Sequence, residues 1–135
     1  MPKTKAAQAT VIVVDGNDGT GKSTLVAALK ELGFKVKDRG LPTKLTDYPQ
    51  TPMEKAEEVY LILDLPVSTC QKRLLEAGKD LTEQYHTKED LTHYRQRFLS
   101  VAKSLQRCKV LDASGSKKQT LKRALAAMEQ LLANE

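Results

Sequence analysis

An α/β fold built on a small, mainly four-stranded parallel sheet is the architecture this sequence predicts, and three observations predict it. Short apolar runs alternate with amphipathic helical stretches through residues 10–135, the order that a parallel sheet with right-handed crossovers requires. The first run, Val11-Ile12-Val13-Val14-Asp15, shows no polar alternation, as expected of a strand buried on both faces. It leads straight into Gly16-Asn17-Asp18-Gly19-Thr20-Gly21-Lys22-Ser23-Thr24, behind which Leu25, Ala28, Leu29 and Leu32 open a helical pattern. A G-x-x-x-x-G-K-[ST] segment between a strand and a helix is a phosphate-binding loop in its confirming context. Its main-chain N–H groups converge on phosphate oxygens, and the helix N-terminus adds positive potential and unpaired donors. Lys22 is placed to reach the β- and γ-phosphates, and the Ser23 hydroxyl to ligate Mg²⁺.

The remaining elements follow in order. Residues 1–9 read as a polar tail and 10–135 as a single domain. The first strand covers 10–15. The first helix spans about 21–32, with Gly33 as its C′ residue. Phe34-Lys35-Val36-Lys37-Asp38 alternates apolar and polar, a strand at the sheet edge. Gly40, Pro42, Pro49 and Pro52 make 39–56 a loop. Val59–Leu65 is a strong third strand, and Pro66 sits in the first turn of a helix ending near Ala77, capped by Gly78. Thr87 and Asp90 have capping-box spacing, and Leu91, Tyr94, Phe98, Val101 and Leu105 then recur on one helical face to about residue 106. Residues 108–112 form a fourth strand. Ser116 and Gln119 make a second capping box before a last helix striped by Leu121, Leu125, Met128 and Leu132. With the Asp38 strand following the first helix directly, the expected sheet order is 2-1-3-4.

Composition narrows the classes. The chain has 135 residues, 40% of them hydrophobic and only 4% aromatic, so aliphatic side chains must build the core. No apolar run approaches the roughly 20 residues of a membrane helix, and Met1–Lys5 is not followed by the apolar stretch of a secretory signal. Cys70 and Cys108, two and far apart, suit a reduced cytoplasmic protein rather than a disulfide framework. A net charge of +5 suits anionic small molecules. The alternation of Lys35, Lys37 and Arg39 and the cluster Lys117, Lys118, Lys122 and Arg123 leave a nucleic-acid face as the lesser alternative to a solvated surface.

Four segments together resemble P-loop nucleoside monophosphate kinases, and thymidylate kinases most. These are Val13–Thr24; Asp38-Arg39 followed by Thr43; Leu61-Ile62-Leu63-Asp64-Leu65-Pro66 with Arg73-Leu74 and Gly78-Lys79-Asp80; and Val110-Leu111-Asp112-Ala113-Ser114. The resemblance implies a three-layer P-loop kinase fold, ATP and Mg²⁺ as cofactors, a small-molecule nucleotide acceptor, a place in nucleotide metabolism, and a monomer or homodimer. It also implies that Ala113 and Ser114 border the adenine and that Arg73 belongs to the donor site. The chain departs from the pattern at the acceptor side. Only Phe34–Lys37 separate Gly33 from Asp38, Gly40 stands where the family has an aromatic residue, Gly19 stands where one branch has arginine, and 79–86 holds no arginine.

The expected function is therefore ATP-dependent phosphoryl transfer to a (deoxy)nucleoside monophosphate through a reduced acceptor site. The alternatives are a 5′-hydroxyl polynucleotide kinase and a nucleotide-binding regulatory protein with little turnover. Phosphoryl transfer needs charge neutralisation and alignment. Lys22, Asp38, Arg39 and Asp18 are the catalytic candidates, Ser23 and Asp38 the metal ligands. Gly16 to Thr24, Arg73, Ala113 and Ser114 are the nucleotide-binding set. In the 39–56 loop, Arg39 and Lys44 are candidates for the acceptor phosphate and Tyr48 for its base. Residues 79–88 are expected to form a lid carrying Lys79 and Lys88. His86 and His93 read as surface residues without metal spacing, and Tyr94 and Phe98 as core. Replacing Lys22 by alanine removes a charge-assisted contact worth about 1.5–3 kcal/mol to bound triphosphate. Lys22→Ala should therefore bind ATP at least about tenfold more weakly by calorimetry and show no measurable transfer.

Overall fold

The computed structural model describes residues 10–38 and 54–133. The strands are β1 (Val11–Gly16), β2 (Lys35–Asp38), β3 (Glu58–Asp64) and β4 (Cys108–Asp112). The helices are α1 (Lys22–Glu31), α2 (Val67–Glu76), α3 (Lys88–Ser104) and α4 (Lys117–Ala133). All pairings are parallel, in the order β2-β1-β3-β4, as the order of elements in the sequence predicts. Every observed boundary lies within a residue or two of its expected place, and the fold is that of a P-loop kinase, a four-stranded parallel sheet flanked by four helices.

The apolar runs are long enough to bury β1 and β3 on both faces. Ile12, Val14, Val59, Leu61 and Leu63 point into the main core, where they meet Leu25, Val26 and Leu29 of α1 and Ala124, Met128 and Leu131 of α4. On the opposite face Val13 and Tyr60 meet Val101 and Leu105 at the end of α3. Each such aliphatic side chain contributes about 1.5–3 kcal/mol on leaving water, and the shared strands bind the two clusters into one body. Burial also explains the cysteines. Both thiols are free, and desolvation pushes Cys70 up to about 11 and Cys108 up to about 12, far from a reactive thiolate at neutral pH.

Helix ends are set by the residues that the sequence singles out. Ser116 N donates to Gln119 Oε1 at 2.8 Å and Gln119 N donates back to Ser116 Oγ at 3.2 Å, a complete capping box. At α3 only half of the box forms. Thr87 Oγ1 accepts from Asp90 N at 3.1 Å, but the Asp90 carboxylate is taken by the N–H of Tyr85 at 2.8 Å. That bond accompanies a left-handed backbone at Tyr85, φ 72°. The stripe expected along α3 is also cut short. Phe98 is buried, but Tyr94 is half-buried and packs its ring on Tyr85 at 5.5 Å and His93 at 5.0 Å between centroids, not into the core. A polar-rich segment before α3 supplies the aromatic partner that draws Tyr94 to the surface.

The most constrained point of the sheet is its junction with the loop. Gly16 closes β1 with φ 144°, and a Cβ there would lie 2.5 Å from the Leu63 carbonyl oxygen of β3. Neither the backbone angle nor the β3 main chain can yield cheaply. Gly16→Ala should cost at least about 2 kcal/mol in urea-unfolding free energy, with the loss visible in the absence of any nucleotide.

Candidate phosphate-binding site

Parallel strands deliver their C-terminal ends to one edge, where the loops of an open α/β sheet form its binding crevice. Here that edge gathers the loop after β1, Asp38 at the end of β2, Asp64 at the end of β3 and residues 112–116 after β4. Asp38 pairs in register with Val14, two residues before the loop begins, and it is exposed.

The loop is rigid where it must be and open where a ligand would enter. Asn17 donates from Nδ2 to the Leu91 carbonyl of α3 at 2.8 Å, and Thr20 donates from Oγ1 to the Asn17 carbonyl at 2.6 Å. Gly16 N donates to Asp15 Oδ1 at 2.8 Å. Gly19 lies against α2, so a Cβ there would meet the Cys70 carbonyl oxygen at 2.9 Å. Asn17 and Thr20 thus hold the loop while Lys22, Ser23 and Thr24 lead α1. Gly21 is the N-cap residue of α1 with φ 90°; it offers no side-chain cap, and the first turn carries no acidic residue. The start of α1 therefore has neither a side-chain cap nor an acidic residue of its own, the arrangement that suits phosphate. Ser23 and Thr24 are exposed beside them. Lys22 is buried; its Nζ donates to the Gly16 carbonyl at 2.6 Å and lies 3.6 Å from Asp18 Oδ1. The donor set fits a polyphosphate with its Mg²⁺: backbone N–H groups, one ammonium and an exposed hydroxyl.

Next to the loop opens a cleft of about 590 Å³ walled by Gly19, Thr24, Ala28, Arg73, Gly115 and Lys117, among others. Arg73 shapes it. Its Nη2 donates to the Ala113 carbonyl at 2.9 Å and the Gly115 carbonyl at 3.3 Å. Arg123 holds the same turn from α4, donating to the carbonyls of Asp112 at 2.8 Å and Ser114 at 2.7 Å. Ala113 itself is fully buried, and the exposed wall is formed by Gly115 and Ser116. The Asp112 carboxylate accepts from Ser114 N at 2.9 Å, which holds that carboxyl below the usual carboxylate range.

Two arrangements at this edge escape a reading of the sequence. Asp64 accepts a two-pronged pair from Arg95, Nε at 2.8 Å and Nη2 at 3.1 Å, which ties α3 to the end of β3 and raises the Arg95 pKa. His86, expected at the surface, is buried: its Nε2 lies 3.1 Å from Asp18 Oδ2 and its Nδ1 lies 3.2 Å from the Asp80 carbonyl. The correction has a physical cause. Asp18 offers an acceptor at the lip of the loop, and the turns before α3 bring residue 86 onto it. Only the fold reveals a contact 68 positions apart. Arg39, Thr43, Lys44, Thr46 and Tyr48 lie outside the described residues. Lys79 and Lys88 are both exposed.

The fold and the loop define the class: a P-loop kinase fold around a phosphate-binding crevice. A gluconokinase from Sinorhizobium meliloti has a similar structure, with a TM-score of 0.66 over 94% of this chain and 95% of that one at 14% sequence identity. No family model matches the chain. In sequence it is similar to the bifunctional cordycepin biosynthesis cluster protein 3 of Cordyceps militaris, 30% identical over 114 residues. That similarity takes in 65% of this chain and spans 13% of the curated relative's length.

If the cleft behind the loop receives the base and sugar of the donor, Arg73 is the residue that keeps its wall in place. Arg73→Ala frees two carbonyls and should weaken ATP binding about tenfold in a calorimetric titration, with little change in the unfolding midpoint because the arginine is half-exposed.

Proposed function

We propose that the protein is a phosphotransferase that takes the terminal phosphoryl group of ATP and delivers it to a (deoxy)nucleoside monophosphate. The observation that carries the reading is the uncapped N-terminus of α1, with Lys22 and the exposed Ser23 in its first turn and Asp38 on the neighbouring strand. The P-loop kinase fold supports the reading, and so does the likeness to a protein named for a biosynthetic cluster.

In this reading the loop amides and Lys22 hold the donor phosphates and oppose the charge that moves onto the bridging oxygen. The Ser23 hydroxyl and Asp38 would hold Mg²⁺, which would supply charge neutralisation to the donor phosphates. The cleft beside Arg73 takes the adenosine. Asp18, at the lip of the loop, faces the side from which the acceptor approaches. Arg39, one residue past Asp38, binds the acceptor phosphate with its planar fork, and Tyr48 stacks on the base. The segment before Asp38 is short, with only Phe34–Lys37 between Gly33 and Asp38, so the base is read loosely.

The test is a screen of nucleoside monophosphates and 5′-hydroxyl oligonucleotides with radiolabelled ATP. The expected result is slow transfer to several monophosphates and a larger loss of kcat/KM for Arg39→Ala than for Tyr48→Ala, since the arginine meets charge that grows during transfer. Transfer to oligonucleotides alone would assign the site to a polynucleotide kinase and overturn the acceptor. Tight ATP binding without transfer to any acceptor would make the protein a nucleotide-binding regulator.

A further inference from the structure

The segment between α2 and α3 contains no arginine through residue 86, yet it places one side chain directly on the phosphate loop. His86 is 9% exposed, the most buried residue of 79–87. Its two ring nitrogens face oxygen acceptors on opposite sides: Asp18 Oδ2 at 3.1 Å from Nε2, and the Asp80 carbonyl at 3.2 Å from Nδ1. The Glu83 carboxylate lies 3.8 Å from Nδ1. A neutral imidazole has a single N–H and leaves one of these contacts as a lone pair against an acceptor; the doubly protonated ring donates to both.

The charges around it agree. Asp18 supplies one carboxylate, with Lys22 Nζ 3.6 Å from its other oxygen. Asp80 supplies a second; the hydroxyl and N–H of Thr82 hold that carboxyl below the usual range, and His86 adds to the effect. Glu83 is the third, and Asp90 of α3 sits one residue away on the Tyr85 N–H. Three carboxylates and one ammonium thus lie around the His86 ring.

We propose that His86 is a positioning residue: its ring ties segment 79–87 to Asp18 and fixes the Asp18 carboxylate at the lip of the phosphate loop. The tie exists in the folded chain by itself, and its catalytic consequence rests on the phosphotransferase reading above.

The experiment measures amide-exchange protection of residues 79–87, corrected for intrinsic exchange, in the wild type, His86→Gln, Asp18→Asn and the double variant. His86→Gln should lower that protection about tenfold. Asp18→Asn breaks the same tie without altering the buried ring, and the double variant should match the more affected single. Unchanged protection in His86→Gln and Asp18→Asn, or single effects that simply multiply, would overturn the proposal. In turnover, His86→Gln should lower kcat about tenfold, with the KM for ATP within about twofold of wild type. A protein that binds no ATP while its exchange follows this pattern would refute the phosphotransferase reading and leave the tie standing.

Discussion

The close approach of β1 to β3 at Gly16 is the constraint on which the rest depends. Gly16 pairs with Leu63 in the parallel ladder, and no side chain fits between them. The chain must leave the sheet there, which starts the loop at a fixed point. Asp15 takes the Gly16 N–H, and Lys22 returns to the Gly16 carbonyl, so both polar groups of that glycine are satisfied by residues of the same turn. The first turn of α1 that follows carries no side-chain cap. Fold stability and ligand geometry meet in one residue pair.

From that pair outward, the two sides of the crevice are built differently. The donor side is made of backbone and of side chains pinned to backbone: Asn17 on Leu91, Thr20 on Asn17, Arg73 and Arg123 on four successive carbonyls. Such bonds hold a shape with little freedom, as a preorganised binding site requires. The other side carries charges at strand and loop ends, Asp18 and Asp38 among the described residues. The position of Asp18 depends on His86, a partner supplied by a distant segment.

This difference explains what could be read from the sequence. The strands, their order and the helix caps were legible because each depends on local chemistry. Unbroken apolar runs mark β1 and β3, and Ser116 with Gln119 marks the start of α4. The phosphate loop was legible for the same reason, since glycine, lysine and serine at fixed spacing leave little else to build. The Asp64–Arg95 pair and the Asp18–His86 contact were not, because they join residues 31 and 68 positions apart with no periodicity between them. Tyr94 shows the converse failure. Its place on a helical stripe argues for the core, but it is half-buried and packs its ring on Tyr85 of the preceding segment.

The turns between α2 and α3 illustrate how a segment with little apolar surface can still be ordered. Residues 79–86 are mostly exposed and contribute Leu81 as their half-buried contact with the core. Their order comes from polar bonds: Asp80 caps Thr82, Asp90 holds the Tyr85 N–H, and His86 reaches Asp18. Hydrogen bonds of this kind contribute only about 0.5–1.5 kcal/mol each, up to about 3 kcal/mol when charged, so the segment is held by sums small enough to open locally. The segment is attached to the loop through the Asp18 carboxylate and to the core through Leu81 alone among 79–86, so a change of charge at Asp18 acts on its order directly.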